Sequence, residues 1–215
     1  MPRRADDLLR HRVTKPLVFG LCLVPFVVLL DGALRGTLGP NPAETLIRSL
    51  GDWTLRGLLL TLAVTPLRQA TGWHALARLR RMLGLFSFFY AACHALAYAW
   101  FDMGLDGAAI LKDIGQRPFI LVGTLALLAM LPLALSSSDR AIRALGAARW
   151  RALHRTVYVI AVLAILHFSW MRAGKQLYGE VALHAAVLAA LLAWRWWKRP
   201  RRVGRPGTRG SGAAP

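Results

Sequence analysis

A chain of 215 residues that is 56% hydrophobic and carries only ten acidic residues is too apolar for an ordinary soluble domain. The same composition excludes an intrinsically disordered chain, which lacks the apolar side chains needed for a core. The net charge of +18 would suggest nucleic-acid binding in a soluble protein, but these charges lie mainly between apolar segments. The composition therefore predicts a polytopic membrane protein that binds no nucleic acid.

Six apolar segments follow one another along the chain and are predicted to cross the bilayer as helices. They comprise residues 16–34, 53–67, 82–101, 118–135, 152–171 and 178–197. The second segment is the weakest candidate for a membrane span. Arg56 lies inside it, and its side chain must extend toward the membrane surface to keep the charge in water. The predicted fold is an all-α membrane protein, a bundle of six transmembrane helices surrounded by membrane lipid.

Lysine and arginine are concentrated in alternate stretches between these segments, beginning with the N-terminus. By the positive-inside rule, both termini are predicted to lie in the cytoplasm. We expect a basic lead over residues 1–15 that needs no fold, a transmembrane domain over 16–198 and a disordered tail over 199–215. The first segment resembles a signal-peptide core, but Asp31 spoils the cleavage pattern before Ala33, so we expect a retained helix.

The stretches between the segments hold turn residues and one basic cluster. Residues 35–52 and 102–117 are predicted to form outer loops, because glycine, proline and charged residues interrupt the apolar pattern there. On the inner side, Arg78, Arg80 and Arg81 precede the third segment. Three arginines this close together can hold an anionic headgroup or a flavin phosphate. Alternatively, they only determine the topology.

Two histidines, His94 in the third segment and His167 in the fifth, are predicted to lie at similar depth. Both helices run outward, so their imidazoles should lie within about one turn of each other in the outer half of the membrane. A buried imidazole is costly unless it is hydrogen-bonded or binds a metal. Two facing histidines are what six-coordinate haem b requires. Alternatively, each is separately hydrogen-bonded, or His184 in the sixth segment takes the place of His167.

The fifth segment carries another histidine, His154, near its inner end. It lies about 20 Å from His167 along a helix, so one histidine is near each membrane face. A straight helix would also rotate the two by about 140°, so both cannot face one line of the third segment. At matching depth, near the start of the third segment, the sequence has Arg80 and Arg81 instead. We therefore expect one haem site, with His154 as a second-site ligand, a quinone contact, or a propionate or flavin partner.

Two stretches carry a resemblance to a known family: RRMLGLFSFFYAACH at residues 80–94 and WRALHRTVYVIAVLAILHF at residues 150–168. With these stretches on six predicted helices, residues 10–198 resemble the MsrQ (YedZ) family, the haem-binding membrane subunits of periplasmic methionine sulfoxide reductase systems. That family belongs to the ferric reductase-like transmembrane superfamily, whose third and fifth helices each carry two histidines and hold two haems. In this chain the third segment has only one histidine, His94. The chain therefore departs from the superfamily pattern at the ligands of the inner haem.

The resemblance implies haem b and FMN as cofactors and the bacterial inner membrane as the location. It also implies that electrons come from the quinone pool or a cytosolic flavin reductase and pass to a periplasmic molybdopterin subunit that reduces oxidised methionines. The chain has no GxGxxG segment, so it is not expected to oxidise a nicotinamide by itself. The alternatives are a ferric or cupric reductase and a haem-free membrane assembly or transport subunit.

Overall fold

The computed structural model describes residues 2–173, 176 and 178–198, and every regular element in this part of the chain is a helix. The α-helices are α1 Pro2–Arg10, α2 Thr14–Leu34, α3 Pro42–Thr71, α4 Ala77–Ala97, α5 Gly107–Gln116, α6 Pro118–Leu135, α7 Asp139–Leu145, α8 Ala147–His154, α9 Val157–Ala173 and α10 Tyr178–Trp197. A 3₁₀ turn at His74–Leu76 precedes α4, and a π-helical turn at Tyr98–Asp102 extends it. The all-α prediction is confirmed, and the expected disordered tail, 199–215, lies outside the described residues.

Several of these helices are suited to a membrane. Within the described residues, four helical stretches are long and apolar enough to cross one: Thr14–Leu34, His74–Asp102, Pro118–Leu135 and Ala147–Ala173. They expose large apolar side chains such as Val28 and Leu128, as helices that face lipid do. The chain is therefore a multi-pass membrane protein. The other two expected spans, now in α3 and α10, are not among these four, since α3 carries charged residues along its length and α10 carries Glu180 in its first turn and Arg195 in its last.

The second apolar segment belongs to a longer helix than its sequence predicts. Helix α3 is 30 residues long and includes residues 42–52, for which the sequence predicts a loop. The side chain of Asn41 caps this helix by accepting a hydrogen bond from the Glu44 amide at 3.1 Å, and Pro42 suits its first turn. Ile47 and Leu50 are then buried against neighbouring helices. The loop prediction for residues 42–52 is wrong because capping and burial outweigh the turn-forming residues.

Two more regions are helical where the sequence predicts irregular structure. Helix α1 forms in the N-terminal lead, and the Asp6 carboxylate accepts a hydrogen bond from the Ala75 amide at 2.7 Å, which ties the lead to the turn before α4. Helix α5 forms in the second outer loop, where Asp106 accepts hydrogen bonds from the amides of Ala108 and Ala109. In both regions a carboxylate satisfies backbone N–H groups that would otherwise need water.

The fifth apolar segment is two helices rather than one. Helix α8 ends at His154, and α9 begins at Val157. Between them, the hydroxyl and the amide of Thr156 both donate to the Leu153 carbonyl, at 2.8 and 3.0 Å, and this closes a tight turn. The prediction of one straight helix through His154 and His167 is therefore wrong at residues 155–156.

The closest helix pair is α3 with α4, and α6, α9 and α10 complete the core around them. Leu58, Leu62 and Ile160 are among the most buried side chains of this core. Gly57 allows α4 to approach, because a Cβ at this position would lie 2.8 Å from the Ser87 hydroxyl oxygen and 3.5 Å from its Cα. The approach of the two helices therefore depends on a residue without a side chain.

We expect Gly57→Leu to lower the free energy of unfolding by about 1–3 kcal/mol, because the added side chain must displace Ser87 and α4. Gly20→Leu is the matched control, because a Cβ at Gly20 on α2 meets nothing within 4 Å. Both variants would be unfolded thermally in the same detergent. Equal midpoints for the two variants would show that α3 and α4 do not pack this closely.

Candidate functional site

Helices α3, α4, α6 and α9 enclose a cavity of about 270 Å³, which we call the histidine cavity. His94 from α4 and His167 from α9 both line it. Their ring centroids are 6.1 Å apart, and the ring planes are inclined by 76°. The fold thus brings together, in one cavity, the two histidines that lie about 70 positions apart in the sequence.

Each of these imidazoles is held by a backbone carbonyl of a neighbouring helix. Nδ1 of His94 donates to the Ile47 carbonyl on α3 at 2.8 Å. Nδ1 of His167 donates to the Phe119 carbonyl in the first turn of α6 at 2.7 Å. A carbonyl can only accept, so Nδ1 carries the proton in both rings and Nε2 keeps its lone pair when the ring is neutral. Both side chains therefore present an unprotonated nitrogen suited to ligating a metal.

Two glycines make room for these rings. A Cβ at Gly51 on α3 would lie 3.2 Å from two atoms of the His94 ring. A Cβ at Gly123 on α6 would lie 2.9 Å from two atoms of the His167 ring, which is too close for any side chain. Each imidazole thus packs against a glycine and is hydrogen-bonded to a carbonyl. That carbonyl belongs to the residue four positions before the glycine on the same helix. This spacing is one helical turn, so each anchor and its glycine lie on one face.

The two ends of the histidine cavity differ in polarity. The charged residues of its lining are Arg48, Asp52, Asp102, Arg117 and Arg172, all at one end. Arg172 lies 2.9 Å from Asp52 and 3.2 Å from Glu180, so an ion-pair network links α9, α3 and α10 at this end. The opposite end is closed by Leu58, Met130 and Ile160, which are buried and apolar.

Beyond this apolar layer lies a second cavity of about 470 Å³, the arginine cavity, which shares the same three residues as a wall. The arginines that line it are Arg80, Arg81, Arg151, Arg155 and Arg195. No aspartate or glutamate is among the described residues of its lining. The arginine cavity therefore carries a strongly positive potential, in contrast to the mixed charges at the far end of the histidine cavity.

His154 lines the arginine cavity and lies apart from the other two histidines. Its ring stacks on Trp150, with ring centroids 4.0 Å apart, and its Nε2 lies 3.1 Å from the Ser136 hydroxyl. The indole of Trp150 donates to the Ser136 carbonyl at 2.9 Å. These contacts fix the orientation of His154 relative to the end of α6. No second histidine lines this cavity among the residues that the structure describes.

Only two of the three arginines in the cluster before α4 share the cavity with His154. Arg80 and Arg81 line it, whereas Arg78 does not and instead donates to the Arg10 carbonyl at 2.9 Å. Arg78 therefore connects α4 to α1 and does not belong with the other two. The Arg81 guanidinium lies 2.7 Å from Asp139 and, by hydrogen bonding, holds the pKa of that carboxyl below its usual range.

The alternative histidine, His184, lines neither cavity. Its Nδ1 donates to the Glu180 carbonyl at 2.7 Å within α10, and its ring lies 5.3 Å from that of Phe168. Among the described residues, no group of three or more His, Cys, Asp or Glu side chains could hold a metal ion. In the structure it is His167, and not His184, that lies beside His94.

The sequence alone does not predict which carbonyls hold the two imidazoles, or which ring each glycine contacts. The carbonyls of Ile47 and Phe119 have no side-chain signature, since any residue supplies a carbonyl. A glycine inside an apolar helix is informative. It lowers helix stability by about 1 kcal/mol relative to alanine, so its presence indicates a packing or functional role. Gly51 and Gly123 carry that signal, but the sequence alone cannot say which ring each one faces.

The helices and the pair of partly buried imidazoles define a helical membrane protein with a histidine-lined cavity. Residues 50–165 match the family model described as "Ferric reductase like transmembrane component". The chain is 55% identical, over 91% of each sequence, to "Protein-methionine-sulfoxide reductase heme-binding subunit MsrQ" of Polaromonas naphthalenivorans. It is 52% identical to the protein of the same name from Bordetella pertussis, over 86% of this chain and 91% of that one.

A third protein of that name, from Ralstonia nicotianae, is 48% identical over 95% of this chain and 94% of its own length. The chain therefore belongs to the ferric reductase-like transmembrane family and, within it, to the MsrQ family. No solved structure matches the chain. The matched segment, 50–165, includes Gly51, His94, Gly123 and His154 but ends two residues before His167.

We expect Gly123→Ala to destabilise the protein by about 1–3 kcal/mol, because the new methyl group overlaps the His167 ring and strains its hydrogen bond to Phe119. Gly84→Ala on α4 is the control, since its Cβ would meet only Thr61, at an ordinary 3.7 Å. Thermal unfolding in detergent measures both changes. A Gly123→Ala protein as stable as Gly84→Ala would show that the His167 ring does not lie against α6.

Proposed function

We propose that this chain binds haem b between His94 and His167 and conducts electrons through the membrane to a methionine sulfoxide reductase subunit. The observation that carries the proposal is the pair of partly buried imidazoles, with each Nδ1 donating to a carbonyl and the centroids 6.1 Å apart. The names of the relatives, which describe a heme-binding subunit of a protein-methionine-sulfoxide reductase, support the same function. The partner subunit would carry out the reduction of methionine sulfoxide.

His94 and His167 are the residues that would hold the haem iron. Two imidazoles that bind one metal ion, each with its nitrogen about 2 Å from the metal and about 1 Å from the ring centre, would have centroids no more than about 6 Å apart. The observed separation of the His94 and His167 centroids is 6.1 Å. Small residues elsewhere in the cavity lining, Ala91, Ala95 and Ala164, leave space for a flat ring system.

Bound haem supplies one-electron chemistry, since its iron alternates between the ferric and ferrous states. The residues of the chain determine its ligation and surroundings. His94 and His167 offer neutral Nε2 atoms, and the carbonyls of Ile47 and Phe119 keep both rings in one tautomer and orientation. Arg48 and Arg117 are cations within reach of the carboxylates of a ligand in this cavity.

We further propose that α3 and α10 also cross the bacterial inner membrane, giving six spans with both termini in the cytoplasm. Their lengths of 30 and 20 residues are sufficient for a hydrocarbon core of about 30 Å. The charges that lower their apolarity have partners: Asp52 pairs with Arg172, and Arg195 donates to Tyr158 and to the Leu62 carbonyl. With this orientation the arginine cavity lies on the cytoplasmic side and the histidine cavity on the periplasmic side.

In this arrangement electrons enter at the arginine cavity and leave at the charged end of the histidine cavity. The donor is quinol or a cytosolic flavin reductase, with FMN as a second cofactor, and the acceptor is a periplasmic molybdopterin subunit. The wall of Leu58, Met130 and Ile160 that both cavities share supports this route, since only one layer of side chains separates the two sites. His154 is the titratable residue on the entry side of that wall.

We expect His94→Ala and His167→Ala each to abolish the low-spin haem spectrum, because either change removes one of the two imidazoles that would hold the haem iron. His184→Ala is the control and should leave the spectrum nearly unchanged, since His184 lines neither cavity. A reduced-minus-oxidised spectrum of each purified protein is the measurement. Loss of haem in His184→Ala but not in His167→Ala would contradict this ligand pair. A wild-type protein without haem would favour an assembly or transport subunit.

We expect His154→Ala to retain the haem and its reduction by dithionite, yet to slow reduction by quinol or by a flavin reductase by about tenfold, the effect of losing one hydrogen-bonded contact. Stopped-flow absorbance of the haem band gives both rates, with His184→Ala as the control. Loss of about half of the haem per protein would indicate that His154 ligates a second haem. Unchanged quinol-driven and flavin-driven rates would show that His154 has only a structural role.

A further inference from the structure

Asp113 on α5 is the one buried carboxylate in the part of the chain that the structure describes, with 8% of its surface exposed. A buried carboxylate is unfavourable unless hydrogen-bond donors or cations surround it. Here each carboxylate oxygen has its own partner. The Tyr98 hydroxyl donates to Oδ2 at 2.5 Å, and the Arg117 Nε lies 2.9 Å from Oδ1. Asp113 is therefore held by side chains from both ends of the segment between α4 and α6.

Tyr98 connects Asp113 to the helix that carries His94. It follows His94 by one helical turn, and its amide donates to the His94 carbonyl. Tyr98 and His94 both line the histidine cavity. The π-helical turn Tyr98–Asp102 begins at this residue, so the regular hydrogen bonding of α4 ends here. The Tyr98 hydroxyl thus fixes the last turn of α4, on which His94 lies.

Arg117 connects Asp113 to the carbonyl that holds His167. It is the single residue between α5 and α6, and its backbone is extended, with φ −114° and ψ 103°. The Arg117 amide donates to the Asp113 carbonyl at 2.9 Å, so its backbone and its side chain are both bound to Asp113. Phe119, whose carbonyl accepts from Nδ1 of His167, comes two residues later in the first turn of α6. The pairing of Asp113 with Arg117 therefore fixes the turn that orients the His167 ring.

We propose that Asp113 is a positioning residue for the imidazole pair. Its carboxylate joins the last turn of α4 to the first turn of α6, and so sets how His94 and His167 face each other across the histidine cavity. Asp113 does not line this cavity, so it acts through Tyr98 and Arg117, which do. The expected effect on haem rests on the function proposed above, whereas the expected effect on the two rings does not.

The first test uses the full-length protein as purified in detergent and diethylpyrocarbonate, which modifies unprotonated imidazole nitrogens. Mass spectrometry of peptides gives the modification rate of each histidine. We expect Asp113→Asn and Tyr98→Phe each to raise the rates of His94 and His167 by about tenfold, the effect of losing one charge-assisted hydrogen bond. The rate of His184, which lines neither cavity, should not change. Tyr98→Phe alters no charge, so it separates positioning from an electrostatic effect.

The second test measures how fast the same proteins lose haem to an excess of apomyoglobin. Both variants should lose it about tenfold faster than wild type, for the same reason. Asp31→Asn is the matched control, because Asp31 forms the same i,i+4 pair with Arg35, at 2.7 Å, on α2, which lines neither cavity.

If Asp113→Asn does not fold, Tyr98→Phe carries the test, since it keeps the pair of Asp113 with Arg117. A wild-type protein without haem would contradict the proposed function, and the histidine rates would still decide the positioning role. Lower thermal stability of both variants, with His94 and His167 rates equal to those of Asp31→Asn, would show that Asp113 only stabilises the fold. That result would overturn the proposal.

Discussion

The structure depends on how two imidazoles are accommodated inside apolar helices. A buried imidazole needs a hydrogen-bond acceptor, and here each one uses a backbone carbonyl of a different helix rather than a side chain. These bonds attach α4 to α3 through Ile47 and α9 to α6 through Phe119, so they orient four helices around one cavity. The same bonds fix the tautomer, since Nδ1 carries the proton and Nε2 keeps its lone pair when the ring is neutral, so one arrangement both anchors the helices and orients the rings.

The two cavities differ in whether the arginines that line them are paired with carboxylates. At the charged end of the histidine cavity each arginine is paired with a carboxylate, as Arg172 is with Asp52, so the potential there is moderated. In the arginine cavity no carboxylate lies among the described lining residues, and the positive charge is left for a ligand. Between them, one layer of buried apolar side chains separates the two environments. This division agrees with a protein that accepts electrons at one face and releases them at the other.

Close packing at glycine positions is what makes this arrangement sterically feasible. Gly57 brings α3 against α4, and Gly51 and Gly123 provide the space in which the two imidazoles lie. Larger residues at these positions would push the helices apart. A metal site tolerates only small displacements of its ligands, so even a slight separation would matter. The glycines therefore contribute to the site as directly as the histidines, although they offer no chemical group.

The sequence by itself determined the class of structure. Apolar runs bounded by charges mark membrane helices, and the rise per residue alone predicts that His94 and His167 lie at similar depth. Only the tertiary structure decided the rest. Capping by Asn41 and burial of Ile47 extend α3 into a predicted loop, and the turn at Thr156 separates His154 from the helix of His167. Arg195 joins Arg80 in one cavity although more than a hundred residues separate them. Such features depend on contacts between distant segments, whereas periodicity and charge report only on neighbours along the chain.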